Sequence, residues 1–398
     1  MKFLTNAVKS CTARIGTLTE FDRIPNINFE TPLVLIYTKR GCIPHLTKDV
    51  FKIVTSKDHV LSISLPSTIG MVESIADTST DFASFVSMKE YLNFLSIQDP
   101  AETTNSGFQN CDSISVWSRT GRHLISADKY MDAVEAFKPD FYVVLCDGDT
   151  NVNSTTKRTT KAVRRSNILL EQCLARHAAS SVLKSKGVLG AIEGGYNLEA
   201  RSNSISCLKD KPLLGYVIDG LHNNGPDVRN IKTEKIKEIV THTLNQLPVE
   251  KLKVSMGSWN PVTILSLVEL GVDVFDTTYP YIVTESAQVI RYRNEFIFVQ
   301  YLIFSSSFAR YQDDCSPICN ECQCLACKNH SRAYLHHLYN TKEMLGSVLL
   351  MIHNIHQYLQ FFGAIRENIK NGTFSQYKDK INSKFPEESL LDNKSTDM

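Results

Sequence analysis

Six short runs of apolar, largely β-branched residues recur through the chain: LVLIYT (33–38), FYVVLCD (141–147), GVLGAIEGG (187–195), LLGYVIDG (213–220), KLKVSMG (251–257) and GVDVFDTT (271–278). Between several of them lie stretches of helical character, namely KRTTKAVRRSNILLEQCLARH, IKTEKIKEIVTHTLNQL and NPVTILSLVELG. A strand with one wet face alternates polar and apolar residues; these runs do not, so both of their faces need cover. Strands of that kind separated by amphipathic helices specify a parallel sheet with helices packed on it, an α/β fold. A length of 398 residues with 42% apolar content supplies the core.

A closed (β/α)8 barrel and an open doubly wound sheet share this rhythm. Against the open dinucleotide fold, no strand leads into a GxGxxG turn, and no GxxxxGK[ST] loop is present. Length and the placement of polar residues favour the TIM-type barrel. Asp147, Glu193, Asp219 and Asp276 each fall at or beside the carboxyl end of an apolar run, the barrel face on which chemistry is built. Four acids meeting there suit a polar, nitrogen-rich ligand or acid/base work; taken singly, each also reads as an Asp or Glu that ends a strand at a βα loop.

Five of the 11 cysteines fall between Cys315 and Cys327. The opening MKFLTNAVKSCTARIG has no apolar run of signal-peptide length, and no segment reaches the 18 or so apolar residues of a membrane span. Lys2, Lys9 and Arg14, with no acid among the first 19 residues, give a faint presequence-like bias. An intracellular, soluble chain is expected, and there clustered thiols serve metal binding or catalysis rather than disulfides. The spacing Cys322-x-Cys324-x-x-Cys327 is followed by helical sequence carrying His353 and His356. Tetrahedral zinc needs four ligands with sulfurs about 3.8 Å apart, which three cysteines of one tight loop satisfy. Spacing alone leaves the fourth ligand open among His353, His356, Cys315 and Cys319. Both histidines lie near the apolar stripe Leu345, Val348, Ile352, Ile355 and Leu359, where a core histidine is the plain alternative. Net charge of +1 neither supports nor excludes a nucleic-acid partner.

The run CQCLACKNHSRAYLHHLYNTKEMLGSVLLMIHNIHQYL resembles the zinc motif of the tRNA-guanine transglycosylases, CxCxxC with a downstream LxxxHN helix. Further similar segments are SGFQ (106–109), GAIEGG (190–195), VIDGL (217–221), MGSWNP (256–261), VDVFD (272–276) and IKNGTFSQY (369–377), so the likeness spans nearly the whole chain. It implies a (β/α)8 barrel over residues 1–310 with its N-terminal region and a zinc-binding subdomain over 311–375 completing the barrel; the rest, 376–398, ends in the polar, Pro-broken SKFPEESLLDNKSTDM and reads as a flexible tail. The likeness implies one structural zinc ion per chain on Cys322, Cys324, Cys327 and His353, with Cys315, Cys319 and His356 outside.

Catalytic members of that family use a double displacement like that of retaining glycosidases, with a carboxylate nucleophile and a second acid/base carboxylate. The resemblance places Asp276 at the nucleophile position. It places Thr104 at the acid/base position, where a hydroxyl does not shuttle protons near neutral pH. Ile282 and Glu285 stand where two arginines grip the anticodon loop, Glu193 replaces a base-binding Gln, and Asp219 replaces a Gly. Together with IEGG (192–195), ISVWSRTGR (114–122) and LIYTKRGCIPHLT (35–47), these departures resemble the non-catalytic, accessory branch of the family. A member of that branch pairs with a catalytic homologue to exchange guanine for queuine at wobble position 34 of tRNAs with GUN anticodons. The resemblance also implies that the 315–370 region faces the partner, and that the location is cytoplasmic, including the mitochondrial outer membrane surface. Two other readings are an active homodimer using Asp276 with a relocated base such as Asp112, and a zinc-stapled scaffold without tRNA contact.

Overall fold

The computed structural model describes residues 1–6, 13–78, 80–293, 296–300 and 311–383, so Lys9 and the end of the chain from 384 fall outside the described residues. Eight parallel strands close into a barrel: β1 (Leu33–Tyr37), β2 (Val60–Ser64), β3 (Leu92–Ser96), β4 (Phe141–Val143), β5 (Gly187–Ile192), β6 (Gly215–Ile218), β7 (Leu252–Val254) and β8 (Val274–Asp276). Each strand pairs with its neighbours in sequence, and β8 closes the ring on β1 with Phe275 opposite Val34. The open-sheet alternative is thereby excluded. All six apolar runs supply barrel strands; β2 and β3 complete the eight.

Helices follow the strands and cover the sheet. Several are started by side-chain caps at the βα junctions, where an oxygen accepts one of the free N–H groups of the first turn. Thr155 caps Thr156–Ala179, Asn197 caps Leu198–Leu208, and Asn260 caps Pro261–Leu270. A hairpin, Ser113–Ser118 with Gly121–Ser126, is inserted after β3. Below the amino ends of the strands lies an antiparallel sheet of Lys2–Asn6, Ile15–Thr19 and Phe29–Thr31. Arg14, one of the residues behind the presequence-like bias, works there. Its Nε donates to Asp273 Oδ1 at 2.8 Å and its guanidinium to Asp273 Oδ2 at 2.5 Å, next to the start of β8.

After β8 come the helix Thr278–Glu285, a hairpin opened by Val289–Arg293, the cysteine-rich loop and the long helix Met344–Lys370. That helix buries Tyr358, Phe361, Phe362 and Ile365 against the barrel. The expected flexible tail over 376–398 needs correction at its start. Phe374–Asn382 is a helix whose Phe374, Tyr377 and Ile381 are buried in the main core, because apolar residues recur at helical spacing within an otherwise polar sequence.

His59, buried just before β2 and edge-on to Phe51, has its pKa pushed down to about 4 by burial. Its folded value lies below its unfolded one, so the stability it allows is full above the unfolded pKa and is lost as pH falls from about 6.5 towards 4. The loss expected by pH 4 is about 3 kcal/mol, and His59→Gln should flatten urea-unfolding stability across that window.

Candidate functional site

Two places in the fold gather chemistry-bearing side chains. The first joins the cysteine-rich loop to the long helix. Cys324 caps the short helix Leu325–Asn329, accepting from Cys327 N, which turns Cys322, Cys324 and Cys327 towards one point. The three sulfurs lie 3.7, 3.5 and 3.2 Å from His353 Nδ1, all four residues are buried, and all four ligand atoms fall within 4.8 Å of one another. These are the separations of a tetrahedral metal centre.

The surroundings support that use. His353 Nε2 lies 2.8 Å from the Ile290 carbonyl and donates to it, which leaves the Nδ1 lone pair facing the sulfurs. Gln357 Nε2 donates to Cys322 Sγ at 3.1 Å, and the backbone N–H of Cys327 to Cys324 Sγ at 3.4 Å. Hydrogen bonds from Cys322 and Cys327 pull the Cys324 thiol down to about 3, while Cys322 and Cys324 push Cys327 up. A bound cation would draw all three sulfurs into the thiolate state. Neighbouring residues on the helix hold the adjacent strand in place: Asn354 Oδ1 accepts from Ile290 N at 2.8 Å, and Gln357 Oε1 accepts from Tyr292 N at 2.6 Å. Of the candidates left open by spacing, His353 is the one whose ring nitrogen joins the three sulfurs. Cys315 is exposed, Cys319 is buried but outside the group, and His356 instead lies 3.1 Å from Gln360. The donor set fits a metal ion.

The second place is the carboxyl-end mouth of the barrel. Three of the four expected acids meet there. Asp147 is fully buried and receives two hydrogen bonds from Arg158, at 2.9 and 2.6 Å, and another from Arg165. Glu193 is also fully buried, and the Cys146 thiol is the one hydrogen-bonding group its carboxyl meets among the described residues. Burial first, then the charges of Asp219 and Asp147, push its pKa well above the carboxylate range, which favours the neutral acid. Asp219 Oδ1 accepts from Gly220 N at 2.7 Å, and its Oδ2 lies 3.6 Å from Cys146 Sγ. These carboxyls press on bare backbone. A Cβ added at Gly148 would meet Asp219 Oδ2 at 2.5 Å, and one at Gly220 would meet Glu193 Oε2 at 2.7 Å. The cavity left beside Cys146, Asp219, His222 and Met256 is about 50 Å³, room for a few waters rather than a purine.

Asp276 stands apart from the other three. It is buried, its Oδ2 accepting from Gly257 N and its Oδ1 from Thr278 N, both at 2.7 Å, and burial raises its pKa to about 6. Thr104 brings a hydroxyl in place of a carboxyl: its backbone N–H donates to Asn223 O at 2.7 Å and its hydroxyl accepts from Asn224 Nδ2 at 3.1 Å. Asp112 is exposed at the foot of the inserted hairpin. Ile282 is buried with Tyr37 and Ala101, and Glu285 pairs with His45 at 2.7 Å.

Sequence reasoning missed the partners of these acids. Arg158 and Arg165, one helix face apart by seven residues, converge on Asp147. Arg201 is buried with its guanidinium on the carbonyls of Gly195, Ile192 and Asp219, and burial lowers its pKa to about 10. Asp99 was missed as well; it accepts from Tyr37 Oη at 2.8 Å and Ser64 Oγ at 3.0 Å.

Residues 9–387 match the family model described as queuine tRNA-ribosyltransferase. A mosquito protein named queuine tRNA-ribosyltransferase accessory subunit 2, from Aedes aegypti, is 36% identical over 100% of this chain and 96% of its own length. Proteins of the same name from Culex quinquefasciatus and Drosophila melanogaster are 38% and 36% identical, each over 96% of this chain and over 91% and 92% of their own lengths. The barrel, the Cys3His cluster and this full-length similarity converge on one assignment: the chain belongs to the queuine tRNA-ribosyltransferase family.

Proposed function

We propose that this chain is the non-catalytic accessory subunit of a heteromeric queuine tRNA-ribosyltransferase, pairing with a catalytic homologue that supplies both active-site carboxylates. The complex exchanges guanine for queuine at wobble position 34 of tRNAs with GUN anticodons. The observation that carries this reading is the state of the barrel mouth. The acid/base position is Thr104, the nucleophile position Asp276 has both oxygens on backbone N–H groups, the cavity beside Asp219 is only about 50 Å³, and Glu193 presses on Gly220. The relatives' shared name as an accessory subunit supports it.

The metal in this reading is one structural zinc ion on Cys322, Cys324, Cys327 and His353, which fastens the cysteine loop to the long helix and presents the 315–370 region to the partner. With four protein ligands the tetrahedron is closed, so the ion is given no role in the exchange. The location in this reading is cytoplasmic, including the mitochondrial outer membrane surface. No helix among the described residues is long and apolar enough to cross a membrane.

The test is a guanine-exchange assay with the chain alone, the catalytic homologue alone and the mixture. Activity is expected only in the mixture. Asp276→Asn should leave mixed-complex turnover within about twofold, whereas a working nucleophile would lose several orders of magnitude. Exchange by the single chain, or collapse of the mixture on that substitution with assembly intact, would favour an active homodimer and overturn the accessory assignment.

A further inference from the structure

Three neighbouring barrel strands, β4, β5 and β6, each lead into a side chain able to bind a metal: Cys146 just past Val143, Glu193 directly after Ile192, and Asp219 directly after Ile218. The Cys146 sulfur and one carboxyl oxygen from each acid all lie within 4.8 Å of one another. Cys146 Sγ is 3.6 Å from Asp219 Oδ2, matching the separation of about 3.6 Å that a sulfur and an oxygen take on one tetrahedral divalent ion. Glu193 points to a ligand independently. It is fully buried, yet no N–H or O–H donor among the described residues reaches either oxygen, and the Cys146 thiol is the one hydrogen-bonding group its carboxyl meets. A buried carboxyl in that position calls for a proton or a cation.

The surrounding charges leave room for a cation. Asp147 and Asp149 are matched by Arg158 and Arg165, two acids against two arginines. Arg201 is the cation beside Glu193 and Asp219, and its N–H groups lie on the carbonyls of Gly195, Ile192 and Asp219 rather than on carboxyl oxygens. With Cys146 as thiolate, three anionic groups against that one guanidinium leave a charge of −2, which a single divalent ion balances. His222 lines the same cavity but is not a ligand. Its Nε2 donates to Met256 O at 3.2 Å and its Nδ1 accepts from Asn224 N at 3.1 Å, so both ring nitrogens are engaged. The cavity of about 50 Å³ beside Cys146 and Asp219 has room for a water as fourth ligand.

We infer that Cys146, Glu193 and Asp219 form a second metal site at the barrel mouth, separate from the Cys3His centre, which takes a thiophilic divalent cation such as Zn²⁺ or Co²⁺. Binding makes one metal–sulfur and two metal–oxygen bonds and releases the Cys146 and Glu193 protons to solvent. The sulfur selects borderline metals over Mg²⁺ and Ca²⁺, which favour oxygen throughout. Three protein ligands against four make this the weaker site, so it fills after the Cys3His centre and empties on dialysis. An ion there ties together the ends of three adjacent strands, and the site does not depend on the accessory reading.

The full-length chain, loaded with zinc and dialysed to about one equivalent of metal, would be titrated with cobalt chloride near neutral pH. The thiolate-to-cobalt charge-transfer band in the near ultraviolet reports binding at sulfur. Wild type should take up about one further equivalent of cobalt while elemental analysis still finds the zinc, because cobalt stands below zinc in affinity for a common site. Cys146→Ser should abolish the band, and Glu193→Gln and Asp219→Asn should each weaken uptake about tenfold or more. Cys315→Ser, at an exposed thiol, should leave both readouts at wild type. Glu193→Gln keeps the side-chain shape, so it decides the matter even where Cys146→Ser fails to fold. Absence of a further equivalent, a band that survives in Cys146→Ser, uptake unchanged in both acid variants, or cobalt gained only as zinc leaves would each overturn the site.

Discussion

Cys324→Ser is expected to release the bound metal, from about one equivalent per chain to less than about a tenth, because a serine hydroxyl is neither a soft ligand nor ionised at neutral pH. Cys324 occupies the centre of the arrangement. It caps its own helix, its thiol is the one drawn furthest towards thiolate, and it receives the Cys327 N–H. Without the ion, three thiols and an imidazole remain buried within 4.8 Å of each other with protons to place and nothing to bind. Metal binding is folding free energy for such a loop, so its loss should free residues 311–330 from the long helix. The strand Val289–Arg293 would loosen with it, since it hangs on His353, Asn354 and Gln357. His356→Ala is the control: its ring faces Gln360 outside the cluster, and metal content should stay at wild type. Elemental analysis would measure the metal, and sedimentation would measure affinity for the catalytic homologue. Metal retained in Cys324→Ser, or lost in His356→Ala, would disprove the ligand set. Metal lost with pairing unaffected would leave the ligands standing and remove the 315–370 region from the interface.

The parallel barrel was legible because six of its strands are buried on both faces and therefore read as unbroken apolar runs. β2 and β3 were not, and the reason is visible in VLSIS and LNFLS. Ser62, Ser64, Asn93 and Ser96 are buried polar residues within or at the ends of those strands, so their sequences lack the unbroken signal. Ser64 is needed where it is: its hydroxyl donates to Asp99.

The metal cluster divides in the same way. Three cysteines on one loop declare themselves by spacing, but the choice between His353 and His356 depends on how the long helix is rotated against that loop. Three residues turn a helix by about 300°, which leaves the two side chains on adjoining faces that spacing alone does not separate. Family likeness pointed to His353, and the hydrogen bond from its Nε2 to Ile290 O supplies the physical reason. At the barrel mouth the acids were legible as strand ends, whereas their fates were not. Whether an acid is ionised, neutralised or exposed depends on arginines delivered by the following helices, and no local pattern announces Arg201 lying on three carbonyls.

Those different fates give Asp147 and Glu193, neighbours in one mouth, opposite mutational signs. Asp147 is a buried carboxylate whose two oxygens serve Arg158 and Arg165, so Asp147→Ala leaves Arg165 with its principal partner gone and should cost about 3–5 kcal/mol. Glu193 has only the Cys146 thiol and the charge of the buried Arg201 on its side, and burial with the charges of Asp219 and Asp147 raises its pKa well above the carboxylate range. Its folded pKa lies above its unfolded value. Its contribution is therefore full at pH below the unfolded carboxyl range and is lost as pH rises towards the folded value. Glu193→Gln keeps the shape, removes the ionisation and adds an N–H₂ facing the Asp219 and Cys146 side. It should match wild type within about 1 kcal/mol near pH 5 and be the more stable protein near pH 8. Urea unfolding at the two pH values, with metal content held equal, reads both effects. A cost below about 1 kcal/mol for Asp147→Ala would show that its arginines are dispensable to the mouth. A cost of several kcal/mol for Glu193→Gln at both pH values would show that the carboxyl is an ionised, partnered group, and that the mouth is still organised to hold a charged ligand.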